Sequence, residues 1–286
     1  MDQRIIDLYD DFTHGGIARR ELLERLAAIA GGTTAAAALL SVLQNDYALA
    51  AVVPEDDPRL ATETATWDSA GAKTSGYLAR PKGGGRKPAV IVIHENRGLN
   101  PHIKDVARRV ALEGYLALAV DALSAGGGTP ADEDKARDMI GALDPAAALA
   151  SYVGAVAFLA GHAESTGRVG AVGFCWGGAM VNRLAAAGTK LAAGVAYYGR
   201  TLPDADVPKV SAPLLLHYAG QDERVNAGIP AFRAALDAAG KPYELYVYEG
   251  AQHAFNNDTN AARYDKAAAD LAWGRTLAFL KKHLGA

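Results

Sequence analysis

From residue 60 onward the chain alternates short apolar runs with longer stretches of helical periodicity, a rhythm that few folds accommodate. The runs Val90–Ile93, Tyr115–Val120, Val169–Phe174, Ala192–Tyr197, Leu214–Tyr218 and Leu245–Tyr248 show little polar alternation, as strands buried on both faces do. Between them Pro101–Glu113, Ala146–His162, Ala179–Ala187, Ile229–Ala239 and Ala261–His283 read as helices, several of them rich in alanine. Opening strands lie around Ala65–Leu78, and Gly83-Gly84-Gly85 reads as a surface loop. The pattern predicts an α/β domain: a mostly parallel, doubly wound sheet flanked by helices on both faces. A chain of 286 residues, 50% of them apolar, suits one such domain with an appendage.

One joint in that pattern carries chemistry. Arg168-Val-Gly-Ala-Val-Gly-Phe-Cys-Trp-Gly-Gly178 is a buried strand that turns sharply into a helix, with the only cysteine, Cys175, at the bend. Gly173-Phe174-Cys175-Trp176-Gly177 has the layout of a nucleophile elbow with Cys in place of Ser. Neighbours without a Cβ let strand and helix pass closely, and the turn pushes the sulfur out at a helix N-terminus, where unpaired N–H groups favour negative charge. A lone free cysteine is more often a small buried hydrophobe, but the glycine frame argues against that here. The same glycines imitate a dinucleotide-binding loop. No Asp or Glu lies between Glu164 and Asp204 to hold a ribose, so no cofactor is expected.

A nucleophilic thiol needs a base, and the base needs an orienting carboxylate. Three histidines follow Cys175. His283 sits in a solvated helix tail, and His217 lies inside an apolar strand, where a satisfied core histidine is the expected role. His253 follows the strand Tyr243–Tyr248 in the loop Glu249–Phe255, at the sheet edge where ligands meet such folds. His253 is therefore the candidate base. Asp222, just past the strand Leu214–Ala219, is the candidate acid, ahead of Glu223 and of Asp204 and Asp206. The strand Pro88–His94 runs into Glu95-Asn96-Arg97, which offers the Asn96 N–H for an oxyanion hole shared with the Trp176 N–H. His94-Glu95 begins like a zinc motif, but Gly98 stands where the second histidine belongs. No other pair has metal-ligand spacing, so no metal is expected.

With these residues placed, the chain resembles the dienelactone hydrolase family of α/β-hydrolases over roughly residues 60 to 284. The likeness rests on Gly173-Phe-Cys-Trp-Gly-Gly178, Tyr197-Tyr198-Gly199, Gly220-Gln221-Asp222 and His253-Ala-Phe255. It implies an α/β-hydrolase fold and a cysteine-dependent, cofactor-free hydrolase of carboxylic esters or lactones, working through a thioester. The alternatives are a general short-chain carboxylesterase, or a non-catalytic relative that only binds ligands. The resemblance also gives Glu95 a part in activating the thiol. Two arginines that hold a substrate carboxylate in the family are missing: the first loop is Asp121–Gly128, and the second position is Asn257. Arg97 and Arg200 are the candidate replacements, with Tyr198 beside them. The sequence therefore predicts a preference for uncharged substrates, and the loop Leu123–Asp132 is expected to frame the entrance.

A net charge of −3 without a basic cluster argues against a nucleic-acid partner, and one cysteine excludes an internal disulfide. No run of about 18 strongly apolar residues suggests a membrane span. Residues 1–50 differ from the catalytic part, 51–286. Asp2–His14 reads as a helix stopped by Gly15-Gly16, and Ile17–Leu26 leads into an alanine-rich run ending near Leu43. Arg19-Arg20 ahead of this run, with Ala48-Leu49-Ala50 after it, resembles a twin-arginine export signal to the periplasm. Asp7, Asp10, Asp11, Glu21 and Glu24, and the face formed by Leu22, Leu23, Leu26 and Ile29, instead favour a retained helical hairpin and a cytoplasmic protein. Such a hairpin docks either on the catalytic domain or on a second subunit, making a homodimer.

Overall fold

A computed structural model describes residues 1–47, 51–69 and 71–285. The order is α1 (Gln3–Thr13), α2 (Arg19–Ala30), α3 (Thr33–Leu43), β1 (Leu60–Ser69), β2 (Ala72–Pro81), β3 (Lys87–Ile93), α4 (Pro101–Leu112), β4 (Leu116–Asp121), α5 (Glu133–Gly141) and α6 (Pro145–Gly161). Then come β5 (Ser165–Phe174), α7 (Trp176–Ala185), β6 (Leu191–Tyr197), β7 (Leu214–Gln221), α8 (Glu223–Asn226), α9 (Ile229–Ala238), β8 (Tyr243–Gln252) and α10 (Lys266–Leu284). The eight strands form one sheet in the order β1-β2-β4-β3-β5-β6-β7-β8, antiparallel at β1/β2/β4 and parallel beyond.

The period of two along each strand divides the core. Val90 and Val92 belong to one buried cluster with Val106 and Val110 of α4 and Phe279 and Leu280 of α10, while Ile91 and Ile93 belong with Tyr152 and Leu159 of α6 and Leu184 of α7. Both faces are covered, which explains the unbroken apolar runs. The expected strands and most helices are present. The helix α5, which the sequence reading lacked, is short and largely charged, with only Ala136 and Ile140 buried. The last helix begins at Lys266, not Ala261, because residues after His253 form turns and Asp265 caps α10 by accepting from the Ala268 N–H.

The N-terminal region is three helices rather than a hairpin. Gly31 and Gly32, with φ of 79° and 155°, break the expected run between α2 and α3. Leu22, Leu26 and Leu43 bury fully against Tyr9, Phe12 and Leu40, giving these helices a small core of their own. They dock on the chain's own sheet domain. Arg263 Nη1 reaches Asp10 Oδ1 at 2.7 Å, Asn96 Nδ2 donates to the Thr13 carbonyl at 2.6 Å, and the Arg137 guanidinium lies 4.4 Å from the Phe12 ring centre. Arg19 pairs with Asp134. The expected boundary at residue 50, and the segment Ala48-Leu49-Ala50, lie outside the described residues. Among the described residues no single helix is long and apolar enough to cross a membrane.

Candidate active site

The strand β5 delivers Phe174 into the core, and the next residue turns the chain. Cys175 adopts φ 53° and ψ −111° as the N-cap of α7, a conformation that L-residues reach only when surrounding structure holds them there. Two close approaches explain the glycines. A Cβ on Gly173 would lie 2.2 Å from the Gly177 carbonyl oxygen, and one on Gly177 would lie 2.3 Å from that of Ile93. The half-buried sulfur therefore sits above the carboxyl ends of β3 and β5. Trp176 opens the helix, so no carbonyl one turn earlier accepts its N–H.

His253 lines the same cavity as Cys175 and Asp222 stands behind it, both just past the ends of following strands, as the sequence order requires. Asp222 caps α8, its Oδ1 accepting from the Val225 N–H at 3.3 Å, while its Oδ2 lies 2.5 Å from His253 Nδ1. His253 is only 3% exposed. Burial opposes its charge, but the Cys175 sulfur and the Asp222 carboxylate outweigh it and raise His253 well above the ordinary imidazole range. The Asp222 carboxyl is held low; burial works against this, and His253 and Arg224 prevail. The competing candidates fall elsewhere: Glu223 and Asp204 are exposed, and the half-buried Asp206 is ion-paired with Lys209. His217 is fully buried, within reach of the Tyr248 hydroxyl at 2.9 Å and of Thr276 Oγ1 at 3.2 Å, the satisfied core histidine expected.

The loop after β3 is also in place. Glu95 is buried and lines a small pocket that Cys175 also lines; its Oε1 accepts from the Tyr198 hydroxyl at 3.3 Å and Oε2 from Asn257 Nδ2 at 2.8 Å. Asn257, standing where an arginine was expected, thus holds Glu95 in position. Burial, then Glu95 and Cys175, push the Tyr198 phenol well above its usual range, so it remains a donor. Tyr198 and Ala254 join Cys175 as the non-glycine residues with positive φ among those described, at 38° and 67°. His94 is a structural residue: its ring stacks on Trp176 at 5.3 Å, and its nitrogens meet the Glu95 carbonyl and the Ala122 N–H.

A cavity of about 940 Å³ opens over Cys175 and His253. Its walls differ from the expectation. Arg97 is buried and ion-paired with Glu133 and Asp134 at 3.6 and 3.3 Å, so it is unavailable as a substrate clamp. Arg200 does line the cavity, and with it Arg137 of α5, Arg183 of α7 and Arg224 of α8. The loop Leu123–Asp132 is not part of the wall. Asp121 pins it by accepting from Leu123 N–H, Thr129 N–H and Thr129 Oγ1, and α5 with Ala142–Pro145 takes its place.

The residue least visible in the sequence is His14. As the C-cap of α1 it places Nε2 3.5 Å from Cys175 Sγ, with its ring edge-on to His253 at 4.8 Å. Burial, with His253 and Arg224 nearby, lowers it to about 2, so it is neutral. Nothing in the spacing reveals a histidine 161 residues away in sequence.

A model of the dienelactone hydrolase family matches residues 74–284. The chain belongs to the dienelactone hydrolase family. It is a hydrolase of ester or lactone bonds. Relatives include a Saccharolobus solfataricus protein named "Putative carboxymethylenebutenolidase", 33% identical over 76% of this chain and 96% of its own length. Another is a Bradyrhizobium protein named "Probable 2-oxo-3-(5-oxofuran-2-ylidene)propanoate lactonase", 35% identical over 79% of this hydrolase and 98% of that one. A Klebsiella pneumoniae crystal structure titled "Putative Dienelactone Hydrolase" superposes with a TM-score of 0.72 at 30% identity, covering 78% of this chain and 99% of that one. The first two N-terminal helices match separately: a YqhI-like family model covers residues 1–31.

Proposed function

We propose that this hydrolase opens lactones or esters by nucleophilic attack of Cys175, and that its substrates carry a carboxylate. The observation that supports the mechanism best is the strained Cys175 elbow facing His253, whose Nδ1 is held 2.5 Å from Asp222. In the reaction Cys175 Sγ, having given its proton to His253 Nε2, bonds to the carbonyl carbon, and the carbonyl oxygen takes the negative charge. The N–H groups of Trp176 and Asn96 stabilise that oxyanion. Collapse breaks the C–O bond, and the leaving alkoxide takes the Nε2 proton of His253. Water then loses a proton to His253 and attacks the thioester, and the thiolate leaves. Asp222 fixes the ring orientation and stabilises the imidazolium throughout. Glu95 acts as a positioning residue, held by Tyr198 and Asn257.

The acyl-enzyme is the direct test. An aryl ester reacted with the hydrolase, quenched in acid and digested should add the acyl mass to the peptide bearing Cys175. His253→Ala should lose turnover by roughly 10²–10⁴-fold, and Cys175→Ala should lose both turnover and adduct. Near-wild-type hydrolysis by Cys175→Ala would remove the sulfur from the mechanism.

A further inference from the structure

We propose that His14, Cys175 and His253 form a binding site for a zinc-like divalent cation, which reversibly silences the thiol. The three donor atoms, two imidazole nitrogens and one sulfur, lie within 4.8 Å of one another. Ligands of a tetrahedral zinc, bonded at about 2.0–2.3 Å, stand roughly 3.3–3.8 Å apart. The His14 Nε2 to Cys175 Sγ separation of 3.5 Å already fits, and the widest pair, within 4.8 Å, needs to close by at most about 1.2–1.5 Å.

Each imidazole is prepared for this role by its second nitrogen. His14 Nδ1 lies 2.8 Å from the Asp10 carbonyl oxygen, so Nδ1 carries the proton and Nε2 presents its lone pair. His253 Nδ1 is committed to Asp222, leaving Nε2 as the free atom. Among the described residues that Nε2 has no hydrogen-bond partner although its residue is 3% exposed, a buried polar atom within a cluster whose donor atoms lie within 4.8 Å of one another. A carboxylate or carbonyl behind each ligating histidine is the usual support of a zinc site. Thiolate and imidazole select zinc-like ions over calcium or magnesium. The cavity side is left for water, as three protein ligands require. Arg263, also near His14, is neutralised by its pairing with Asp10, and a further cation opposes the ion: Arg224 Nη2 donates to His14 Nε2 at 3.0 Å. It belongs to an exposed residue, and its side chain can swing into solvent.

The proton balance is simple. Whether the pair is thiol and imidazole or thiolate and imidazolium, metal binding expels one proton to solvent. A sulfur bonded to metal cannot attack a carbonyl, so hydrolysis stops until the ion is withdrawn.

The binding test stands apart from the hydrolase reading. Reduced full-length protein titrated with Zn²⁺ should take up about one ion and release about one proton. Co²⁺ should give a near-ultraviolet thiolate-to-metal charge-transfer band that Cys175→Ala abolishes. His14→Ala and His14→Gln should weaken Zn²⁺ binding at least roughly tenfold; the glutamine keeps a donor toward the Asp10 carbonyl, guarding against a loosened α1. Arg224→Gln should tighten binding. Zn²⁺ should inhibit ester hydrolysis at the concentrations that fill the site, and a chelator should restore it. Absence of the charge-transfer band, or wild-type affinity in His14→Gln, overturns the proposal. Binding without inhibition would instead count against Cys175 as the nucleophile.

Discussion

Positive φ at Cys175, Tyr198 and Ala254 concentrates backbone strain on the candidate site: Cys175 is the elbow residue, the Tyr198 ring packs against His253, and Ala254 follows it. Strain of this kind costs of order 1–3 kcal/mol per residue and persists only where the surroundings over-determine it. The histidines show how burial decides a side chain's role. His217, fully buried with only neutral hydrogen-bond partners, is lowered from 6.5 to about 3, burial being the larger cause and Arg275 the smaller. Between those two values the unfolded chain binds a proton at this position that the native chain does not. Stability attached to His217 is therefore present above pH 6.5 and is lost as the pH falls toward 3. His217→Gln should flatten the acid limb of a stability–pH curve by up to about 1.4 kcal/mol per pH unit, measured by urea denaturation. His14 acts in the same direction and preserves part of the slope. An unchanged slope in the variant would show that His217 titrates normally. His253 has the opposite sign: its raised value contributes stability at low pH that is lost as pH climbs through it.

The strands were legible because a sheet covered on both faces demands continuous apolar runs, and the elbow was legible because only glycine tolerates its close approaches. That second point is testable at Gly177. A Cβ there meets the Ile93 and His94 carbonyl oxygens at 2.3 and 2.6 Å, both of them backbone atoms that cannot yield cheaply. Gly177→Ala should lower stability by about 1–3 kcal/mol and depress turnover by shifting Cys175. Wild-type melting and activity would show that the elbow has slack. The short helix α5 was not legible, and although docking of the N-terminal helices on the catalytic domain was one of two alternatives the sequence offered, the residues that anchor α1 there were not legible, since each depends on partners far along the chain. The anchor of α1 is Asp10, whose carboxylate neutralises a nearly buried guanidinium; burial disfavours the charge on Arg263, while Asp10 and then Tyr9 support it. Asp10→Ala leaves that cation without its partner, a change that typically costs about 3–5 kcal/mol. The loss should fall on α1, seen as faster hydrogen exchange or proteolysis within Gln3–Thr13, with the sheet domain intact. Protection equal to wild type would mean that Tyr9 and Phe12 hold the helix without the ion pair.

At the scale of the molecule, the cavity is assembled from elements that are distant in sequence, and that is why its charge escaped a reading by local loops. Those loops, Asp121–Gly128 and the position of Asn257, lack arginine and predict an uncharged substrate. The folded chain instead brings Arg137 from α5, Arg183 from α7, Arg224 from α8 and Arg200 from the turn after β6 to one cavity, where Asp138 is the only acidic residue among the described residues lining it. Arg137 is offset by Asp134 and Asp138. Arg224 touches His14, next to the sulfur, so a substrate carboxylate that pairs with it lies close to the thiol. Charge-assisted, bidentate pairing of a guanidinium with a carboxylate is worth more than a neutral hydrogen bond, and a cavity partly shielded from water strengthens it. A lactone bearing a free carboxylate should therefore show a higher kcat/KM than its methyl ester, by about tenfold or more, equivalent to roughly 1.4 kcal/mol. The advantage should shrink with added salt. Arg224→Gln and Arg200→Gln should each reduce turnover of the carboxylated substrate while leaving the methyl ester nearly unaffected, because only the former loses a partner. Equal kcat/KM for the matched pair, or equal losses on both substrates in the arginine variants, would return the cavity to the neutral-substrate reading and leave its arginines with no role in selection.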